Sequence, residues 1–317
     1  MTSSPRSTRK RFLQNALGAL KGAVPGTYDR LQRNLIEMTP RAQTLREALA
    51  GLPIVSITVA GDNGIFEGSA SDAAVIQRYA LDGAWSPKTI AMIQTFFGPS
   101  KTGTYLDIGA NIGLTAVPIA RSGIRTIAFE PVPANARHLR RNAVANECGD
   151  AIEIIDVALL DTPGEVTFEL SPENHGDHRF RRDDALSLMG ESEWQTITVP
   201  ALTLDSFADR LSGPVVMKID VQGAEPLVFR GGRAVFDRVD MLICEITPYA
   251  MARMGVEPDD FIDYIGGFAQ IRVFERESED NAVTYSGADI VPFLKKFHAD
   301  NVNEPWGHYI NLVATRR

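Results

Sequence analysis

The stretch Asp107-Ile108-Gly109-Ala110-Asn111-Ile112-Gly113 sets a carboxylate and two glycines where an apolar run gives way to a helical pattern. At such a junction Gly109 permits a tight turn, and Gly113 is expected to let the next helix pack close on a sheet. The room left beside the helix start, next to Asn111, suits a ligand. Asp107 selects its charge. A dinucleotide fingerprint has a glycine at the place of Asp107, and its pyrophosphate would be repelled by a carboxylate. S-adenosylmethionine has no phosphate and carries ammonium and sulfonium charges that a carboxylate attracts. The expected cofactor is therefore S-adenosylmethionine, with Asp107, Gly109, Asn111 and Gly113 as contacts. Glu130 closes the next apolar run about twenty residues past the glycine loop, the spacing at which a carboxylate takes two ribose hydroxyls.

A second block, Val216 to Glu225, carries Lys218 and Asp220 on one face of an otherwise apolar strand. Central parallel strands are apolar on both faces, so two charges there call for a ligand or a buried ion pair. Asp220 falls at the strand's carboxyl end, where open α/β sheets bind ligands, and Glu245 ends the next strand at the analogous edge. Asp220, Glu225 and Glu245 are candidates for the base that takes a proton from an acceptor hydroxyl. Asp220 is the first choice among them, as either base or cofactor contact, two roles the sequence does not separate. Lys218 is a base only if desolvation lowers its pKa; otherwise it stabilises a developing alkoxide. Asp220 with Glu245 could offer oxygens to a divalent metal, but two carboxylates make a thin ligand set and no metal is expected. In Asn174-His175-Gly176-Asp177-His178-Arg179 the two histidines lack further ligands, so His175, Asp177, His178 and Arg179 are expected to contact the substrate. Trp194 or Trp306 is a candidate to stack on a sugar ring.

These residues need a scaffold, and the pattern supplies one. From Thr104 strands and helices alternate: Tyr105–Ile108, Arg125–Phe129, Ile152–Val157, Val215–Val221 and Met241–Ile246 as strands, with helices Ile112–Arg121, Pro133–Asn146 and Ala224–Phe229 between them. Such alternation predicts a doubly wound, mostly parallel α/β sheet. Pro118 should bend the first helix or free a carbonyl. An insertion at about 158–200 is predicted to open with a hairpin over Ala158–Leu170, turned at Thr162-Pro163-Gly164, and to continue as a polar loop. Residues 51–100 read as a prelude or lid: a hairpin around Asp62-Asn63-Gly64, then helices near Asp72–Leu81 and Pro87–Phe97.

Charge divides the chain. The net charge is −8, yet residues 1–46 hold nine Lys or Arg against Asp29 and Glu37. The acidic remainder excludes a broad nucleic-acid footprint and favours a small-molecule or glycan acceptor. Residues 1–50 read as a basic helical extension able to meet a membrane surface or a protein partner. No apolar run approaches the ~20 residues of a transmembrane helix, and the two cysteines, Cys148 and Cys244, are far apart. The expected location is the cytoplasm.

The sequence resembles the FkbM-type methyltransferases, a class I family. The likeness rests on Asp107–Gly113, on Phe129-Glu130-Pro131-Val132-Pro133 with Asn135, Asn142 and Asn146, on Leu202-Thr203-Leu204-Asp205-Ser206, and on Lys218 to Glu225. It implies a seven-stranded Rossmann-like sheet and O-methylation of a saccharide, glycan or natural-product hydroxyl. It also implies adenine contacts at Asp156, Val157 and Ala158. Gln222 stands where the family more often has Glu. Two other readings stay open: a nitrogen or carboxylate acceptor, and a non-catalytic cofactor-binding adaptor.

Overall fold

The computed structural model describes residues 55–182, 185–275, 282–304 and 308–316; the basic stretch 1–50 and Trp306 lie outside them. Gly64, at φ 134, opens the strand after the Asp62-Asn63 turn, so β1 (Ser56–Gly61) pairs antiparallel with β2 (Gly64–Ser69). Helix α1 (Ile76–Asp82) stops at Gly83 in the left-handed region, and α2 (Pro87–Phe97) starts on its proline.

The alternating part follows as β3 (Thr104–Ile108), α3 (Ala116–Arg121), β4 (Thr126–Phe129), α4 (Pro133–Ala145) and β5 (Ile152–Ile155). Four short strands come next: β6 (Ala158–Leu159), β7 (Gly164–Leu170), β8 (Arg179–Phe180) and β9 (Gln195–Leu202). The main sheet resumes with β10 (Val215–Ile219), α5 (Glu225–Arg230), α6 (Arg233–Phe236) and β11 (Val239–Ile246). The chain closes with α7 (Pro248–Arg253), α8 (Pro258–Ile265), β12 (Gln270–Glu275), β13 (Val283–Tyr285), α9 (Val291–Asn301) and β14 (Ile310–Thr315).

The main sheet has the order β13-β12-β14-β11-β10-β3-β4-β5. It is parallel from β11 to β5 and antiparallel beyond β11. This is a doubly wound α/β sheet of eight strands rather than seven, because β13 adds to its edge. Strand order reverses between β3 and β10, so their carboxyl ends splay a crevice. The period of two sorts the central strands: Leu106, Ile108, Met217, Ile219, Leu242 and Cys244 enter one core cluster, while Tyr105, Val216, Met241 and Ile243 enter another.

Pro118 falls in the first turn of α3, and the Leu114 carbonyl left free four residues before it accepts Asn63 Nδ2 at 2.9 Å. One expectation fails for a local reason. Ala158–Leu170 is not a hairpin. The second sheet runs β6-β9-β7-β8, with β9 between β6 and β7, so the chain at Thr162-Pro163-Gly164 passes from one side of β9 to the other.

The β1–β2 hairpin is fastened to α4 by two asparagines one turn apart. Asn142 Oδ1 accepts the Glu67 N–H at 2.7 Å and its Nδ2 donates to the Glu67 carbonyl at 3.0 Å. Asn146 treats Ile65 alike, accepting its N–H at 3.0 Å and donating to its carbonyl at 2.7 Å. The two amides thus take the place of a strand along β2, and its backbone groups are satisfied without one.

Candidate active site

The crevice between β3 and β10 opens into a cavity of about 750 Å³. Its floor begins with Gly109, at φ 82, where an added Cβ would stand 2.0 Å from the Asp220 carbonyl oxygen. Only glycine lets the loops after β3 and β10 come so close. Asn111, also left-handed at φ 52, gives its backbone N–H to Glu130 Oε2 at 2.8 Å and its Nδ2 to the His175 carbonyl at 2.8 Å. Asparagine tolerates that conformation better than most residues. Gly113 does other work than expected. A Cβ there would meet Leu139 Cδ1 at 2.3 Å, so the glycine lets α4, not the sheet, pack closely, and it does not line the cavity.

Glu130 stands 5% exposed at the end of β4, with Oε1 accepting the Val132 N–H at 2.9 Å. Burial pushes its carboxyl up to about 7, against the pull of its backbone donors. Beyond it, Val157 and Ala158 line the cavity, whereas Asp156 does not: its carboxylate is held by Arg140 in two hydrogen bonds on the protein surface.

Across the switch point Lys218 is in register with Asp107, with its Nζ 3.5 Å from Asp107 Oδ1 and 3.9 Å from Asp220 Oδ2. Burial pulls the ammonium down, but Asp107, Asp220 and Glu245 together outweigh it and hold Lys218 above its ordinary value. Lys218 is therefore a fixed cation, and the expectation of a desolvated lysine base fails on charge. Asp107, 1% exposed, leaves Oδ2 buried without a hydrogen-bond partner among the described residues. Asp220 accepts from Gln222 Nε2 at 2.8 Å, a bond the glutamate more common in the family could not make when ionised. Glu225, by contrast, is 2% exposed and outside the cavity lining, with Oε1 taking the Val221 N–H at 2.9 Å. It closes the turn after β10, and burial pushes its carboxyl up to about 7. Glu245 does line the cavity. Burial, then the charges of Asp220 and Glu225, push its carboxyl well above the usual range, while Thr247 Oγ1 donates to it at 3.1 Å.

The stretch His175–Arg179 lines the cavity on the Glu130 side. The His175 carbonyl also accepts from Asn135 Nδ2 at 3.2 Å, and the His175 N–H donates to Asp72 Oδ1 at 3.2 Å. His178 Nδ1 accepts the Ser171 N–H at 3.0 Å, and burial, with the charges of His175 and Arg179, lowers the ring's pKa to about 3. The ring is neutral with its proton on Nε2. Arg179 is 3% exposed and paired with Asp177. Trp194 packs beneath its guanidinium and is outside the cavity lining. Among the described residues no group of three or more His, Cys, Asp or Glu is placed to hold a metal. The pattern missed Trp85, Lys88, Tyr249, Phe274 and Asn311, which also line the cavity. None belongs to a motif with a readable spacing.

The family model described as the methyltransferase FkbM domain matches residues 107–277, more than half of the chain. The chain belongs to this family. The hexuronic acid methyltransferase AglP of Haloferax volcanii is 27% identical over 155 residues, which are 49% of this chain and 57% of that protein. The matched part thus spans little more than half the relative's length. Among solved structures, the methyltransferase FkbM from Methylobacillus flagellatus is similar at 13% identity and a TM-score of 0.39, covering 88% of this chain and 59% of that one. An O-methyltransferase from Bacillus cereus, solved with SAH, gives 13% identity, a TM-score of 0.38, and coverage of 78% and 91%. Among the described residues no helix of this FkbM-domain protein is long and apolar enough to cross a membrane.

Proposed function

We propose that this protein transfers the methyl group of S-adenosylmethionine to a hydroxyl of a saccharide. The observation that carries the reading is Glu130, a buried carboxylate at a strand end beside the switch-point crevice, each of whose oxygens takes one backbone N–H. Each oxygen keeps a lone pair with which to accept a ribose hydroxyl. The remaining residues fit the same cofactor. The Asp107 carboxyl group at the cavity lining suits an ammonium group, the glycine at 109 keeps the loop open, and Val157 with Ala158 offers an apolar wall to an adenine.

Bound there, the cofactor supplies a methyl carbon already activated by its sulfonium. The chain must hold the acceptor in line and accept its proton. Glu245 is the base this reading selects: it lines the cavity at the end of β11, and Glu225 is committed to its turn. As the acceptor hydroxyl loses its proton to Glu245, the Lys218 ammonium offsets the charge left on oxygen. The relative's name, hexuronic acid methyltransferase, supports a sugar as acceptor.

The test is calorimetric titration with S-adenosylmethionine and S-adenosylhomocysteine, with NAD as control. Micromolar binding of both adenosyl ligands without NAD binding supports the reading, and mass analysis of sugars incubated with the protein then identifies the methylated product. If neither adenosyl ligand binds, the reading fails.

A further inference from the structure

Part of the cavity lining is unused by the reaction as written. Trp85 and Ser86, from the link between α1 and α2, line the cavity with Pro87 to Thr89 in the first turn of α2, as do Asn311 of β14 and Phe274 of β12, beyond Glu245 in the sheet. That link is held by Asn63, a side chain 4% exposed in the β1–β2 turn. Asn63 Oδ1 accepts the Trp85 N–H at 2.9 Å, and its Nδ2 donates to the Trp85 carbonyl at 2.8 Å and to the Leu114 carbonyl at 2.9 Å. One amide thus fixes both backbone groups of Trp85 against the loop that follows Gly109–Gly113. The next residue, Ser86, lies at φ 41, a left-handed conformation that a non-glycine residue keeps only where its surroundings impose it. The Trp85 ring packs against the cluster containing Phe66, Tyr79 and Leu114 yet stays partly exposed in the cavity.

An aromatic face held rigid on one wall, with a carboxyl group and an amide on another, matches a pyranose. Its C–H face is apolar and its rim is hydroxyl. Strand register puts Glu245 opposite Asn311, and Asn311 opposite Phe274, so the polar groups form a row across β11 and β14 that ends on a second ring. We propose that Trp85 is the platform for the acceptor sugar ring, that Glu245 and Asn311 take its hydroxyls, and that Asn63 is the positioning residue that sets the platform. This rests on the saccharide reading above and adds to it the subsite and its residues.

Saturation-transfer NMR on the full chain with S-adenosylhomocysteine present tests it, using methyl β-D-glucopyranoside and methyl β-D-glucuronide as probes. Ring C–H protons of at least one probe are expected to receive saturation. Trp85→Ala should cut that signal about tenfold and Trp85→Phe should restore part of it, while the calorimetric Kd for S-adenosylhomocysteine stays within about twofold. Asn63→Asp keeps the accepted bond and removes both donated ones, so it should lower the sugar signal as well; a purely structural Asn63 would lower only the melting temperature. An undiminished sugar signal in Trp85→Ala overturns the platform and leaves the saccharide reading standing. Loss of S-adenosylhomocysteine binding in that variant assigns Trp85 to the donor end and also overturns it. No signal from either sugar on wild type that binds S-adenosylhomocysteine overturns both the platform and the sugar acceptor. Wild type that does not bind S-adenosylhomocysteine overturns the methyl-transfer reading itself.

Discussion

Glu130 shows how one buried carboxyl group links binding, stability and pH. Its ordinary value of 4.5 is raised to about 7 because burial disfavours the charge more than two backbone N–H donors favour it. On the proposed reading, ribose hydroxyls donating to it prefer the ionised form, so below pH about 7 the cofactor would have to expel a proton on binding. The Kd for S-adenosylhomocysteine should therefore rise by up to about tenfold per pH unit below that point, and calorimetry from pH 5 to 8 measures it. Folding responds in the same window. Between 4.5 and about 7 the folded protein keeps a proton that the unfolded chain has lost, so this contribution is fully present below the unfolded value and gone above the folded one. Its size is on the order of 3 kcal/mol. In Glu130→Gln the window disappears. Relative to wild type, the variant should gain stability as pH rises from 5 to 8 in urea titrations, while losing cofactor affinity; parallel stability profiles would mean that Glu130 is ionised throughout. Glu130, Asp107 and Gly109 were legible in the sequence because a βαβ unit fixes where strand ends fall. Trp85 and Asn63 were not: Asn63 reaches Leu114 across 51 residues, and no local pattern encodes that contact.

Among the elements, α4 carries more of the architecture than its helical pattern suggests. The sequence marks Asn142 and Asn146 only through family likeness, but the structure gives them a physical task, the pairing of β2. Asn142 also donates to the Ile112 carbonyl at 2.8 Å, so one side chain joins hairpin, helix and the loop after β3. Replacing it with alanine strands the Glu67 N–H and two carbonyls. Asn142→Ala should cost about 2–4 kcal/mol in chemical denaturation, and hydrogen exchange should quicken first at Gly64–Ser69. Exchange that quickens evenly along the chain would show that the hairpin is held by its apolar face instead. The misjudged pairing of β6 and β7 has a related cause. The local turn signal at Thr162-Pro163-Gly164 was sound, but the partner of both strands is β9, which arrives later in the chain and takes the place between them. Local chemistry fixes where a chain turns; it does not fix which strand it meets.

At the scale of the whole molecule, the second sheet is joined to the main one by buried charge. Arg253 of α7, 2% exposed, gives Nη2 to Glu169 of β7 and Nη1 to the Leu186 carbonyl, and that same Nη1 lies 3.3 Å from Glu191 Oε1. Tyr249 donates to Glu191 at 2.8 Å and accepts the Leu188 N–H at 2.9 Å. Tyr249 lines the cavity and follows Glu245 and Thr247 on the same stretch, so the network adjoins the strand end that carries Glu245. Such networks gain little net stability, because desolvation offsets attraction, yet breaking one leaves unpaired charge in the interior. Arg253→Met should therefore lose about 3–5 kcal/mol in urea denaturation, and should lose less at pH 5 than at pH 8, where Glu169 and Glu191 must both bear charge without the Arg253 cation between them. Adding Glu169→Gln and Glu191→Gln removes the stranded charges and should recover most of the stability. The triple variant separates two roles. If its stability returns and acceptor turnover returns with it, the charges serve only the fold. If stability returns and turnover stays low, while S-adenosylhomocysteine still binds as in wild type, the network is there to aim Glu245.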